Sequence, residues 1–162
     1  MRASGEEAGL RARVAAYLRT HHTMTIATMD PVGNAPHAAC VFYAVDDELR
    51  LIFLSKPASV HGSHIGELAP VAVTVTEQYL DWERIQGVQL WGDARLLGGT
   101  ARAAALAVYL KRFPFVRGIM ARPGLADLIR DMGVYRVTTY RAAFTDNTTG
   151  VFGREVLELV TE

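Results

Sequence analysis

Ala38-Ala39-Cys40-Val41-Phe42-Tyr43-Ala44-Val45-Asp46-Asp47-Glu48-Leu49-Arg50-Leu51-Ile52-Phe53-Leu54 sets two runs of apolar and β-branched residues on either side of an acidic triplet. A link this short joins antiparallel neighbours, so residues 38–45 and 49–54 read as a β-hairpin. Ser55-Lys56-Pro57 then changes the pattern, because serine and proline are favoured where a helix starts; a short helix is expected through about Leu68. Upstream, residues 23–29 form a β-branched run that stops at Asp30-Pro31-Val32-Gly33-Asn34, a strong turn sequence.

Further out, Ser4 and Glu7 have capping-box spacing, and Leu10, Val14, Tyr17 and Leu18 recur on one helical face, ending near His21-His22. Residues 71–76 and 88–97 read as strands, with Gly92 marking a bulge or a close backbone approach. Residues 100–112 are alanine-rich and helical, and Pro114 and Pro123 break the next stretch into short helical pieces. A strand over 134–144, a polar loop over 145–153 and a last strand over 155–160 complete the chain. The fold class is α+β: a mostly antiparallel β-barrel of six or seven strands, Greek-key type, with peripheral helices, since closure removes exposed edges. One domain, 1–162, is expected: an N-terminal helix (1–22), core barrel strands with the short helix (23–99), a helical segment (100–131), and the C-terminal strand and loop (132–162).

Half of the residues are hydrophobic and 21% are charged, the balance of a globular chain and not of a disordered one. Seventeen basic residues against 17 acidic ones leave no basic excess for phosphate neutralisation, which argues against a nucleic-acid partner. Lys111-Arg112 reads as a solvated helix end. A formal charge of zero favours self-association and therefore an oligomer. No apolar run is long enough to span a bilayer and no signal-peptide core follows Met1, so the expected location is cytoplasmic, with no membrane partner. The single cysteine, Cys40, fits a reducing compartment and reads as a small core residue.

The order helix, three antiparallel strands, short helix and further strands resembles the pyridoxamine 5′-phosphate oxidase-like, FMN-binding split-barrel superfamily. The likeness is carried by residues 39–65, by Gly92-Asp93-Ala94-Arg95-Leu96, by Arg112-Phe113-Pro114, and by the ending from Phe144 to Gly153, which is similar to a little-characterised bacterial branch. It implies a split barrel acting as a homodimer with cofactor clefts at the interface. It further implies that Val41, Phe42 and Tyr43 lie along the isoalloxazine ring, that Leu54 and Ser55 stand where the family presents a Tyr-Thr pair, and that Ser59, Val60 and His61 replace a Ser-Arg-Lys phosphate clamp. Ala39 stands where the family has a further arginine, and Ala44 where true oxidases have the lysine that meets the substrate phosphate. The implied function is an FMN-binding oxidoreductase whose substrate is not assigned, and with Ala44 in place of that lysine pyridoxamine 5′-phosphate is not the expected one. The alternative is a non-catalytic module for flavin, deazaflavin or haem.

The residues themselves support two readings of 55–61. Ser55, Lys56, Ser59 and His61 can present hydroxyl, ammonium and imidazole donors to an anion at a helix start, or they can simply cap that helix. His61 and His64 share a helical face with His37 upstream; no cysteine or carboxylate stands at ligand spacing, so no metal site is read, and haem ligation by one imidazole is the alternative use. Gln89 and Trp91 face one side of their strand and Gln86 the other. Gln89 is placed to meet a flavin edge across an interface, and Trp91 either stacks there or is a barrel aromatic. Trp82, between Asp81 and Glu83, falls in a loop. Asp146-Asn147 reads as a turn satisfying its own backbone and as a candidate cleft rim. No nucleophile–base set, P-loop or dinucleotide glycine motif is present, which suits a protein whose cofactor carries the chemistry.

Overall fold

In the computed structural model, residues 4–150 and 153–159 are described. Helix α1 (Ser4–Thr20) leads into β1 (Thr23–Met29), β2 (Pro36–Val45) and β3 (Leu51–Ser55). Helix α2 (Val60–Ile65), β4 (Leu68–Thr76) and β5 (Gln86–Leu96) come next, then α3 (Gly99–Arg112), α4 (Pro114–Met120) and α5 (Ala126–Arg130). Strands β6 (Gly133–Asp146) and β7 (Arg154–Glu158) end the described chain. Val151, Phe152 and Val160 of the expected ending, and the capping side chain of Ser4, lie outside the described residues.

All strand pairs are antiparallel, in the order β3-β2-β1-β4-β5-β6, and β6 pairs back onto β3 through Leu51↔Val137 to Ser55↔Gly133, closing a six-stranded barrel. Strand β7 adds to the other half of β6. The hairpin expected from residues 38–54 is the β2–β3 pair. Alternation does the building: Met24, Ile26, Leu51, Phe53, Leu90 and Val137 face inward and are almost fully buried, each contributing roughly 1.5–3 kcal/mol. The predicted α1 stripe of Leu10, Val14, Tyr17 and Leu18 joins that core. A second apolar layer lies outside the barrel, where α3 to α5 cover Ala44, Ile52 and Val134 with Tyr109, Phe113, Val116 and Ile129.

Gly92 is the predicted close approach. The β5–β6 register slips between Trp91 and Gly92, and a Cβ there would stand 2.4 Å from the Thr138 carbonyl oxygen. Other expectations are corrected. The short helix ends at Ile65, and Leu68 already belongs to β4; Gly66, at φ +55°, stops it. Pro57 sits in the preceding turn and Ser59 is the N-cap. Cys40 is exposed, because it points to the outer face of β2, where no second layer covers it. Arg112 is not a solvated end: its Nη2 donates to the carbonyls of Arg19 (2.7 Å) and His21 (3.2 Å), tying α3 to the end of α1. Trp82–Arg84 and Asn147–Thr149 are 3-10 turns, and β6 extends through Asp146 instead of stopping at Phe144.

Candidate functional site

The barrel is split on one side. Strand β3 pairs with β2 only from Tyr43↔Phe53 to Val45↔Leu51, whereas Thr23↔Phe42 to Met29↔Pro36 pair β1 with the rest of β2. Residues 36–42 of β2 therefore have one unpaired backbone edge, and among the described residues no backbone hydrogen bond from the turn or α2 closes it. Strand β3 is drawn away toward β6, and the Lys56–Ala58 turn and α2 enter the gap instead.

Where β3 ends, three side chains knot together. Ser55 Oγ lies 2.6 Å from His61 Nε2 and 3.1 Å from Ser59 Oγ, which is 3.3 Å from the same nitrogen. Ser59 Oγ also accepts the Gly62 N–H at 3.1 Å. A neutral His61 accepts from Ser55, so the knot satisfies itself. Burial first, and then the charges of His37 and His64, push the His61 pKa below its ordinary value. His37 projects from β2 with its ring parallel to His61, centroids 6.1 Å apart, and edge-on to His64 at 5.9 Å. His64 Nδ1 lies 3.1 Å from Thr28 Oγ1 on β1. Among the described residues, no three His, Cys, Asp or Glu side chains are arranged to hold a metal ion.

The structure thus brings Ser55, Ser59, His61, His37 and His64 together around the split. Lys56 is exposed in the turn beside them, and Val60 is exposed on α2. Phe42 stands at the end of the open edge, 48% exposed, with Phe113 (5.5 Å) and Phe115 (6.2 Å) beside it. Val41 and Ala39 are half-buried against the core, and Leu54 against the helical layer. Tyr43 offers nothing further to a ring: it is buried, its hydroxyl donates to the Leu18 carbonyl at 2.7 Å, and its N–H goes to His22. Gln89 and Trp91 are not part of this cluster. They lie on the outer face of β5 in a shallow 250 Å³ groove with Thr25, Ala27 and Ala72, where Arg154 donates to Gln89 Oε1 and Arg141 covers the Trp91 ring.

At the other end of β6, Asp146 Oδ1 accepts from the Gln86 amide, the Thr148 hydroxyl and the Thr148 N–H, at 3.0, 2.6 and 3.1 Å. Burial opposes its ionisation, but these bonds outweigh it and lower the pKa, so the self-satisfied turn is present. Sequence reasoning missed Thr28, Phe115 and Tyr135. Tyr135 is fully buried, and its hydroxyl has no partner among the described residues; its ring lies against Gly133, the strand partner of Ser55. Only strand register could have placed it there.

To a flavin phosphate, the knot offers two hydroxyls and a protonatable imidazole within 3.3 Å of one another. No carboxylate is hydrogen-bonded to it among the described residues, and it fits a phosphate held without a guanidinium. The dipole of a six-residue helix adds little, since Ser59 already caps its first turn.

A closed six-stranded antiparallel barrel with one split side and a short helix in the gap defines the split-barrel class of folds. The chain belongs to the pyridoxamine 5′-phosphate oxidase family, whose pattern it matches over residues 10–131. Its relatives include a UPF0306 protein of Cronobacter sakazakii, 33% identical over 150 residues that cover 92% of this chain and 94% of that one. Among solved structures, a conserved hypothetical protein of Mycobacterium tuberculosis superposes with a TM-score of 0.68 at 18% identity, covering 85% of this chain and 84% of that one. A heme binding protein of Mycobacterium smegmatis gives 0.66 at 20% identity, covering 98% of this chain and 59% of that one. At these identities the structures speak for fold alone. No helix among the described residues is long and apolar enough to cross a membrane.

Proposed function

We propose that this chain is an FMN-binding, oxidoreductase-like protein of the cytoplasm, working as a homodimer. The observation that carries the reading is the split itself: an unpaired strand edge, 36–42, ends on an exposed aromatic and runs beside a hydroxyl–imidazole knot. Ser55 and Ser59 would turn their hydroxyls from each other to the phosphate. His61 would take up a proton and donate from Nε2, which makes it the titratable substitute for the family's lysine. Lys56 supplies a point charge nearby, and backbone groups of Val41 and Phe42 face the ring. Bound FMN would supply hydride or electron transfer; the chain supplies binding and orientation. Gln89 and Trp91 lie on a face of small residues that a second protomer can cover, and from there they would reach the partner's cleft.

Purified protein should be yellow, or quench FMN fluorescence on titration, and His61→Ala and Ser59→Ala should weaken binding while leaving far-UV circular dichroism unchanged. A colourless protein with no fluorescence change refutes the reading. Light scattering should give twice the chain mass.

One observation favours a second reading, a non-catalytic haem module: three imidazoles meet at the split, and a structural neighbour is a heme binding protein. Haem would show a Soret band that disappears in His61→Ala or His64→Ala.

A further inference from the structure

We propose that two copies of this chain interlock through complementary charge, the acidic loop between β4 and β5 of one protomer lying on the basic end of the helical layer of the other; this rests on the homodimer reading above. Charge is segregated within a chain of zero formal charge. Residues 111–122 hold four basic side chains and no acidic one, whereas residues 77–85 hold three acidic side chains and one basic. Arg112 is tied to two carbonyls, but the side chains of Lys111, Arg117 and Arg122 are exposed, with no hydrogen bond or ion pair among the described residues. Phe115 stands in the same stretch, 53% exposed. In the loop, Glu77 is engaged by His21 at 2.9 Å, and Asp81 Oδ1 accepts the Glu83 N–H at 3.0 Å. The Glu83 carboxylate is exposed and unpaired among the described residues, and the Leu80 side chain stands wholly in solvent. One surface thus offers an aromatic ring with unpaired cations, and the other a bare leucine with carboxylates. They match in charge and in apolar character.

Strand register places the two surfaces at one end of the barrel, on opposite sides of its uncovered outer face. Phe115 lies 6.2 Å from Phe42, ring to ring, and Phe42 pairs with Thr23 at the start of β1. Two residues further along β1, Thr25 pairs with Thr74, so β4 runs past Thr23 before it enters the loop at Glu77. Two strand spacings, roughly 10 Å, separate β2 from β4. A two-fold axis along the strands, through the face between them, exchanges its two sides and preserves its ends. Each protomer's loop then meets the other's helix end, and the contact is made twice.

Sedimentation equilibrium on the full chain tests this with reversed charges. Asp81→Asn/Glu83→Lys reverses the loop while asparagine keeps the capping oxygen, and Lys111→Glu/Arg117→Glu/Arg122→Glu reverses the helix end. Each variant should self-associate at least about tenfold more weakly than wild type, since each sets like charges face to face. An equimolar mixture of the two should dimerise again, because every reversed loop then meets a reversed helix end and every native loop a native one. Leu80→Ser should also weaken association at least about tenfold with far-UV circular dichroism unchanged, because that side chain is buried only between protomers. Wild-type protein that stays monomeric overturns the homodimer reading and this proposal together. A wild-type dimer that both reversals leave within about twofold, or reversed variants that stay apart on mixing, overturns the interlock alone. So does a helix variant that dimerises normally but loses the wild type's binding to phosphatidylserine vesicles, which would assign the basic end to a membrane surface.

Discussion

Replacing Gly62 by alanine separates the site from the barrel that carries it. A Cβ on Gly62 would come within 2.5 Å of the Lys56 carbonyl oxygen, 2.8 Å of that of Pro57 and 2.9 Å of Ser59 Oγ. Only the serine can rotate away, and doing so breaks the Gly62 N–H cap and the contact with Ser55. The two carbonyls are backbone, so α2 must shift as a unit. Such overpacking costs ~1–3 kcal/mol. Losing the cap adds about 1 kcal/mol, and alanine's better helix propensity returns about 1 kcal/mol. The net is about 2 kcal/mol, or a Tm lower by roughly 4–8 °C for a chain of this length. Gly9→Ala is the control: it lies exposed inside α1 with nothing within 4 Å of a new Cβ, so it should raise Tm by about 2–4 °C. Thermal melts and FMN fluorescence titrations on both variants decide the matter. A Gly62→Ala protein with an undiminished Tm refutes the packing argument. One that melts earlier yet binds FMN as the wild type does refutes the placement of the phosphate at this turn.

The same geometry has other consequences. Folded His61 holds its proton more weakly than an unfolded imidazole of pKa 6.5. The unfolded chain therefore protonates first as pH falls, and stability should be level above about 6.5 and decline below it through the folded value. Urea midpoints across that window should show the decline, smaller in His61→Gln. FMN affinity should move the other way, tightening with acid, because the bound phosphate favours the imidazolium; an affinity that does not vary with pH removes His61 from the clamp. Gly92→Ala, with its Cβ 2.4 Å from the Thr138 carbonyl, should cost about 3 kcal/mol and express poorly or melt roughly 6–12 °C lower. Arg112→Ala should lower the urea midpoint by the equivalent of about 1–2 kcal/mol, with α1 amides exchanging faster; unchanged exchange there would show that α1 does not depend on this tie.

Local chemistry explains which features were legible in the sequence. The acidic triplet between two apolar runs could only be a hairpin, and Gly92 inside an otherwise continuous strand could only mark a bulge or a contact. Element ends were less readable: proline at 57 suggested a helix start, while the actual start is set by Ser59 reaching back to cap Gly62. Cys40 was misplaced because an apolar strand gives no sign of which face is left uncovered. Ser55, Ser59 and His61 were legible as donors, but not as a knot, since that needs β3 to end opposite Gly133. His37 meets the helix histidines only because β2 pairs with β3 from Tyr43 onward and not before it, a long-range event with no local signature.

That partial pairing also limits what the split can bind. An unpaired strand edge invites pairing with another chain unless it is short, broken or covered. Here the open stretch of β2 begins with Pro36, which has no N–H to offer, and α2 stands its histidines against it. Another strand therefore has little to pair with, whereas a flat ring with hydrogen-bonding edges needs only two or three backbone groups. The same devices make edge-to-edge dimerisation at the split unfavourable, so the proposed dimer would use the outer face of β1, β4 and β5, where Ala27, Ala72 and Trp91 lie without a covering layer among the described residues. If the dimer forms there, the small side chains of that face admit close approach of two sheets. A charge placed among them, such as Ala72→Lys, should then yield monomers whose barrel still melts cooperatively, because the substitution touches no inward-facing position.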